Sequence, residues 1–221
     1  MPDRPACPPG CGCSIANEFG EAAARHDLRS YRRSGPSTTT GWLVDGLTAG
    51  GVEGLSVLDI GAGVGAAHQA LLTRGAASVT DVDGSPAYVA AAREEAERLG
   101  TADRVTYAVG DFVELASTVD VADLVVLDRV ICCYPEMEQL VRASLAHARL
   151  RYGLVYPRDS WWIRIGAAIL NGLAGLVRIR TRAYIHQSAG VEALIRAAGF
   201  IPRLSRSSVF WQVAVYERDG S

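Results

Sequence analysis

Residues 57 to 65 read Val-Leu-Asp-Ile-Gly-Ala-Gly-Val-Gly, an apolar run cut short by glycine at every second position. No other stretch narrows the possible folds as far. A buried strand that passes straight into a glycine-rich turn and then a helix is how open α/β sheets cradle a nucleotide-like ligand. Glycine lets the backbone turn tightly and lets a ligand approach with no Cβ in the way.

A second apolar stretch, Ser78 to Val82, ends in Asp83, eighteen positions after Gly65. An acidic side chain at about that distance can grip the two hydroxyls of a ribose. Dinucleotide sites use G-x-G-x-x-G, with the third glycine inside the helix. Here Gly61, Gly63 and Gly65 alternate, with Asp59 two residues ahead of the first. That spacing argues against a nicotinamide-dependent oxidoreductase.

The 221 residues, 49% of them hydrophobic, suit one α/β domain with its own core and a modest addition. A formal charge of −2 gives no general pull towards nucleic acid or anionic lipid. There is no basic stripe with interleaved aromatics, and no Asn/Asp-Pro-Pro-Tyr tetrad, so nucleic acid is not an expected partner. The start, Met-Pro-Asp-Arg-Pro, lacks a signal peptide's apolar core. No stretch reaches about 18 uncharged apolar residues, so no membrane span is expected and a cytoplasmic location is. Five cysteines fall in two clusters, Cys7, Cys11 and Cys13 near the start and Cys132 and Cys133 later. Neither a disulfide framework nor a four-ligand zinc site is expected from them.

Along the chain, helical spacing over about Ile15 to Arg33 puts Phe19, Ala22, Ala23, His26 and Leu28 near one face, and Gly35-Pro36 stops it. Ser37 to Thr40 can cap a second helix carrying Trp42, Leu43 and Leu47. Two helices ahead of the first strand form a natural lid. Tyr31 can reach back from it to a ligand or simply pack it onto the core. Helices follow at Ala66 to Arg74, from Ser85-Pro86 to Leu99, from Pro135 to Ala148 and from Ala189 to Ala198. Strands are expected at Arg104 to Val109, Ala122 to Leu127, Tyr152 to Tyr156, Ile201 to Ser205 and Val209 to Glu217. The stretch from Ser160 to Arg182 breaks this alternation. It reads as an inserted amphipathic helix that walls a pocket, with ordinary packing as the alternative. The pattern implies a Rossmann-like, seven-stranded, mostly parallel sheet with one antiparallel strand and helices on both faces.

The run Leu58 to Gly65, with Val82-Asp83-Gly84-Ser85, Gly110-Asp111-Phe112 and Asp123 to Asp128, resembles the class I S-adenosylmethionine-dependent methyltransferases over roughly residues 40 to 217. That resemblance implies S-adenosylmethionine as cofactor. It places Asp59, Gly61, Ala62 and Gly63 against the methionine part, Asp83 and Gly84 at the ribose, and Asp111 and Phe112 at adenine. Asp128 and Arg129 would flank the methionine carboxylate or sulfonium. Asp128 to Pro135, Tyr156-Pro157-Arg158 and Phe210 to Ala214 look like an uncharacterised bacterial group of these enzymes, more distantly like magnesium-protoporphyrin O-methyltransferases. Cys132-Cys133 stands where many class I enzymes have a histidine pair. The expected layout is a flexible Cys/Pro/Gly-rich tail over 1–13, a helical lid over 14–50 and a cofactor-binding domain over 51–221 with an insertion at about 160–186.

Methyl transfer from a sulfonium is an in-line displacement, so positioning and exclusion of water can carry much of the catalysis. An oxygen or nitrogen acceptor can also need a base. His186, then Tyr134, then Tyr31 are candidates, each with a structural alternative. Arg158 can pair with an acceptor's carboxylate or close a salt bridge, and Trp162 can line its pocket. The expectation is methylation of a small, partly apolar molecule; the alternative is a non-catalytic cofactor-binding regulatory or partner-binding module.

Overall fold

The computed structural model describes residues 20–161, 163 and 184–220. Its sheet has seven strands: β1 Ser56–Ile60, β2 Ser78–Asp83, β3 Val105–Val109, β4 Ala122–Asp128, β5 Ala148–Pro157, β6 Phe200–Ser207 and β7 Trp211–Arg218. They lie in the order β3-β2-β1-β4-β5-β7-β6, and β7 alone runs against its neighbours. The sheet expected from the sequence is therefore present. The chain leaves β1 towards β2 and β3, then crosses back to β4 on the other side. That reversal opens a crevice at the carboxyl ends of β1 and β4, where such sheets hold ligands.

Helices cover both faces: α1 Glu21–Ser34, α2 Thr38–Thr48, α3 Ala66–Thr73, α4 Pro86–Leu99, α5 Phe112–Leu115, α6 Met137–Ala146 and α7 Ser188–Ala197. Period-two alternation sends successive strand residues to opposite layers. Leu58, Val125, Leu127, Tyr152 and Leu154 pack with α6 and α7. Val57, Leu124, Val126 and Val155 pack with α2 and α3.

The expected starts shift in three places, and the last strand, β7, begins at Trp211 and not at Val209. α6 begins at Met137, after a 3-10 turn at Ile131–Cys133, because Pro135 lies in an exposed turn instead of opening the helix. β5 starts at Ala148, four residues before the apolar run suggested. Arg151 is tolerated inside that strand because its guanidinium donates to the Leu47 and Gly51 carbonyls, both at 2.7 Å, and pairs with Glu217.

The two N-terminal helices differ in what they touch. α2, capped by Ser37, is built into the core through Leu43, Val44 and Leu47. α1 rides on α4 with Ala24 and Leu28 inward, while Ala22 and His26 are exposed. Its inner face is one step along from the expected one. The N-terminal cysteines, Trp162 and most of the 160–186 insertion lie outside the described residues.

Candidate functional site

The glycine loop owes its shape to three left-handed residues, Gly61, Gly63 and Gly65, with φ of 64°, 59° and 80°. Side chains rarely tolerate that region. A Cβ on Gly61 would also meet Val130 at 2.7 Å. Gly65 serves a different neighbour: a Cβ there would lie 2.5 Å from Nε2 of His68, and Gly65 does not border the cavity. The third glycine thus makes room for an imidazole and not for a ligand.

Above the loop lies a cavity of about 600 Å³, within the few hundred to about 1,000 Å³ usual for small-molecule sites. Its floor is the carboxyl ends of four strands: Asp59 to Val64 after β1, Val82 to Gly84 at β2, Gly110 to Phe112 after β3 and Asp128 to Val130 at β4. Among the described residues, five aspartates, Asp27, Asp59, Asp83, Asp111 and Asp128, border it against one cation, Arg129. A buried surface of that sign repels phosphate and favours a cationic ligand.

Backbone donors hold Asp83. Its Oδ2 accepts the Gly63 N–H at 2.9 Å and its Oδ1 that of Ser85 at 2.8 Å, so the end of β2 fastens the glycine loop. Burial pushes its carboxyl up, and the two backbone hydrogen bonds oppose that shift. Asp111 caps α5 through the Val113 N–H, and the Tyr134 hydroxyl donates to both its oxygens. Phe112 is buried beside it, edge-on to His147. Asp128 accepts from Thr40 at 2.5 Å, and its other oxygen is buried without a hydrogen-bond partner. Burial raises its carboxyl as well.

Arg129 has φ of 64°, the only described non-glycine residue with positive φ. Its guanidinium donates to Ser37 and Thr39 at the start of α2 and lies 5.2 Å from the Trp211 ring centre. It latches the α1–α2 corner to the sheet. Tyr31 also borders the cavity, with Ala62 and Gly84, and burial raises its phenol.

Two expected residues are not brought to the cavity. His186 Nε2 sits 2.8 Å from the Ile131 carbonyl and 3.2 Å from that of Tyr134, so it carries a proton and pins the 3-10 turn. Arg158 donates to the Ser208 carbonyl at the β6–β7 turn. Both chose backbone carbonyls, which sequence spacing does not reveal. Tyr134 reaches the cavity, but as a donor to Asp111, and burial together with that bond holds its phenol well above the ordinary range.

Other lining residues carried no signal of their own in sequence. Asp27 on α1 accepts from the Tyr88 hydroxyl on α4 at 2.5 Å, and both border the cavity. Tyr184, whose N–H donates to the Cys132 carbonyl, closes the side formed by Val130, Cys133, Pro135 and Leu140. His68 was traceable in principle, as a polar residue on the buried stripe of α3 with Ala67, Leu71 and Leu72.

A methyltransferase-domain family model matches residues 57–150, which span β1 to the start of β5 and supply most of the cavity floor. Over those residues the chain reads as a methyltransferase domain. The methyltransferase is similar in structure to the Synechocystis magnesium protoporphyrin IX methyltransferase crystallised with S-adenosylhomocysteine. The TM-score is 0.75 at 22% identity, over 94% of this chain and 99% of that one. It is also similar to an O-methyltransferase family 2 protein from Planctomyces limnophilus, in complex with apigenin, with a TM-score of 0.64 at 17% identity. That match covers 90% of this chain and 61% of the other. No curated protein matches the sequence. With 1254 solved chains alike, the fold alone does not name an acceptor.

The methyltransferase cavity fits the family's cofactor on three counts. It offers Cβ-free backbone at Gly61 and Gly63, an acidic lining that suits a sulfonium and an ammonium, and a buried acceptor on Asp59 that no protein donor uses. Among the described residues no cluster of His, Cys, Asp and Glu suits a metal, and no helix is long and apolar enough to cross a membrane.

Proposed function

We propose that this methyltransferase transfers the methyl group of S-adenosylmethionine to a small, partly apolar molecule. One observation carries the reading: the cavity has an acidic floor and an apolar far side, Pro135, Leu140 and Tyr184, with Cys133 beside them. When bound, the cofactor supplies an electrophilic methyl on a sulfonium. Asp83 and Gly84 would hold the ribose, Asp111 and Phe112 the adenine, and Asp59, Gly61 and Gly63 the methionine part. Asp128 would face the cationic end, while Arg129 closes the corner over it.

The chain's own contribution to rate is then positioning and exclusion of water. Tyr88 and Tyr134 already donate to carboxylates, and His186 is spent on backbone carbonyls, so none of the three is free to take a proton. α1 would act as the cover, since Asp27, Ser30 and Tyr31 border the cavity. The Synechocystis relative acts on a magnesium porphyrin and the Planctomyces relative binds a flavonoid. Both are flat and largely apolar, which fits the far side.

The test is turnover. Incubated with S-adenosylmethionine and fractionated metabolite extract, the protein should release S-adenosylhomocysteine in at least one apolar fraction. Tight cofactor binding with no release across all fractions would favour a non-catalytic binding module.

A further inference from the structure

We infer that His68 is a positioning residue that aims the carboxylate of Asp59 at a cationic group in the cavity. The inference deepens the cofactor reading above and rests on it. Asp59 lies on β1 and His68 in the first turn of α3, and both are sealed from solvent at 1% and 0% exposure. His68 Nδ1 lies 3.0 Å from Asp59 Oδ2. A carboxylate oxygen accepts, so Nδ1 holds the proton in this pair. The second oxygen, Oδ1, is buried with no hydrogen-bond partner, and Asp59 borders the cavity.

A buried carboxylate with one oxygen tied and the other open is costly unless something occupies the open side. The tie also decides direction. With Oδ2 held by the imidazole, rotation about the terminal torsion is blocked, and Oδ1 stays on the side of the carboxylate that His68 does not use. The loop is built to permit this. A Cβ on Gly65 would collide with His68 Nε2, so the third glycine exists for the ring. Within the proposed function, the cation that Oδ1 meets is the ammonium of the cofactor's methionine part. Neither the glycine motif nor the family match assigns His68 a part.

Calorimetry on the full chain separates this role from simple packing. S-adenosylhomocysteine carries the amino-acid arm, and 5′-methylthioadenosine lacks it. His68→Ala should weaken the first by about tenfold, as expected for one charge-assisted hydrogen bond, and leave the second unchanged. His68→Asn keeps an N–H donor at the δ position and should restore most of the loss. Equal losses for both ligands, no loss at all, or no rescue by Asn in a variant that melts like wild type would overturn the inference. If wild-type protein binds neither ligand, the cofactor reading itself fails and the inference falls with it. If wild type binds both, only the role of His68 is at stake.

Discussion

The hydroxyl of Tyr134 lies 3.0 and 3.1 Å from the two carboxylate oxygens of Asp111, tying the segment after β4 to the end of β3. Two strands, β2 and β1, lie between β3 and β4 in the sheet, so the bond spans the cavity from edge to middle. It makes a residue that invites reading as a base into a donor, and it orients a carboxylate proposed to meet adenine.

Tyr134→Phe should therefore weaken S-adenosylhomocysteine binding by about three- to tenfold, the share of one hydrogen bond to a charged group. The pH dependence of any turnover should stay as in wild type, because the phenol already holds its proton throughout the working range. Isothermal titration of the variant checks the first, and unchanged or tighter binding would remove Tyr134 from the site's architecture.

Asp83→Ala leaves the Gly63 and Ser85 N–H groups without their acceptor. Each buried orphan costs about 1–3 kcal/mol, so a loss on the order of 3 kcal/mol is expected, a Tm drop of roughly 10 °C in a chain of this size. Cofactor affinity should fall as well. A variant that melts like wild type would show that the loop does not depend on this fastening.

Asp81 sits on β2 opposite Asp59, fully buried, and neither of its oxygens has a hydrogen-bond partner. Burial first, then the Asp59 and Asp83 carboxylates, hold its carboxyl well above its ordinary 3.8, against an opposing pull from Arg93. The folded protein binds that proton more tightly than the unfolded chain, so this group's stabilisation is greatest in acid. It declines as pH rises from 3.8 towards the folded value. Asp81→Asn removes the titration. Its Tm advantage over wild type should grow between about pH 4 and pH 8, and a constant or shrinking difference in melts across that range would contradict the assignment.

Arg129 combines a left-handed backbone with a latch to Ser37 and Thr39. Arg129→Gly loses the latch and relieves the backbone, whereas Arg129→Ala loses the latch and keeps the strain. The Gly variant should be the more stable of the two by about 1 kcal/mol in urea unfolding, with both below wild type. The reverse order would mean that the φ of 64° costs nothing here.

Much of this site could be read from short segments. Asp59, Gly61, Gly63, Asp83, Asp111 and Asp128 each stand where an apolar run gives way to turn residues, and each ends at the cavity. That worked because strand alternation, helix caps and glycine turns are local physics, settled within a few residues. The same logic misplaced the start of α6, where Pro135 lies in an exposed turn, and shortened β5, where Arg151 is answered by distant partners.

By itself, then, the sequence determined the seven-stranded sheet with one reversed strand, the glycine loop and the acidic residues at the strand ends. Only the tertiary structure decided what those residues face. It put an imidazole under Gly65, sent Tyr134 to Asp111 and His186 to two carbonyls, and spread Arg129 across the start of α2. The physical reason is the same in each case. A buried polar group must find a partner, and that partner is chosen by packing between elements far apart in the chain, which no local pattern records.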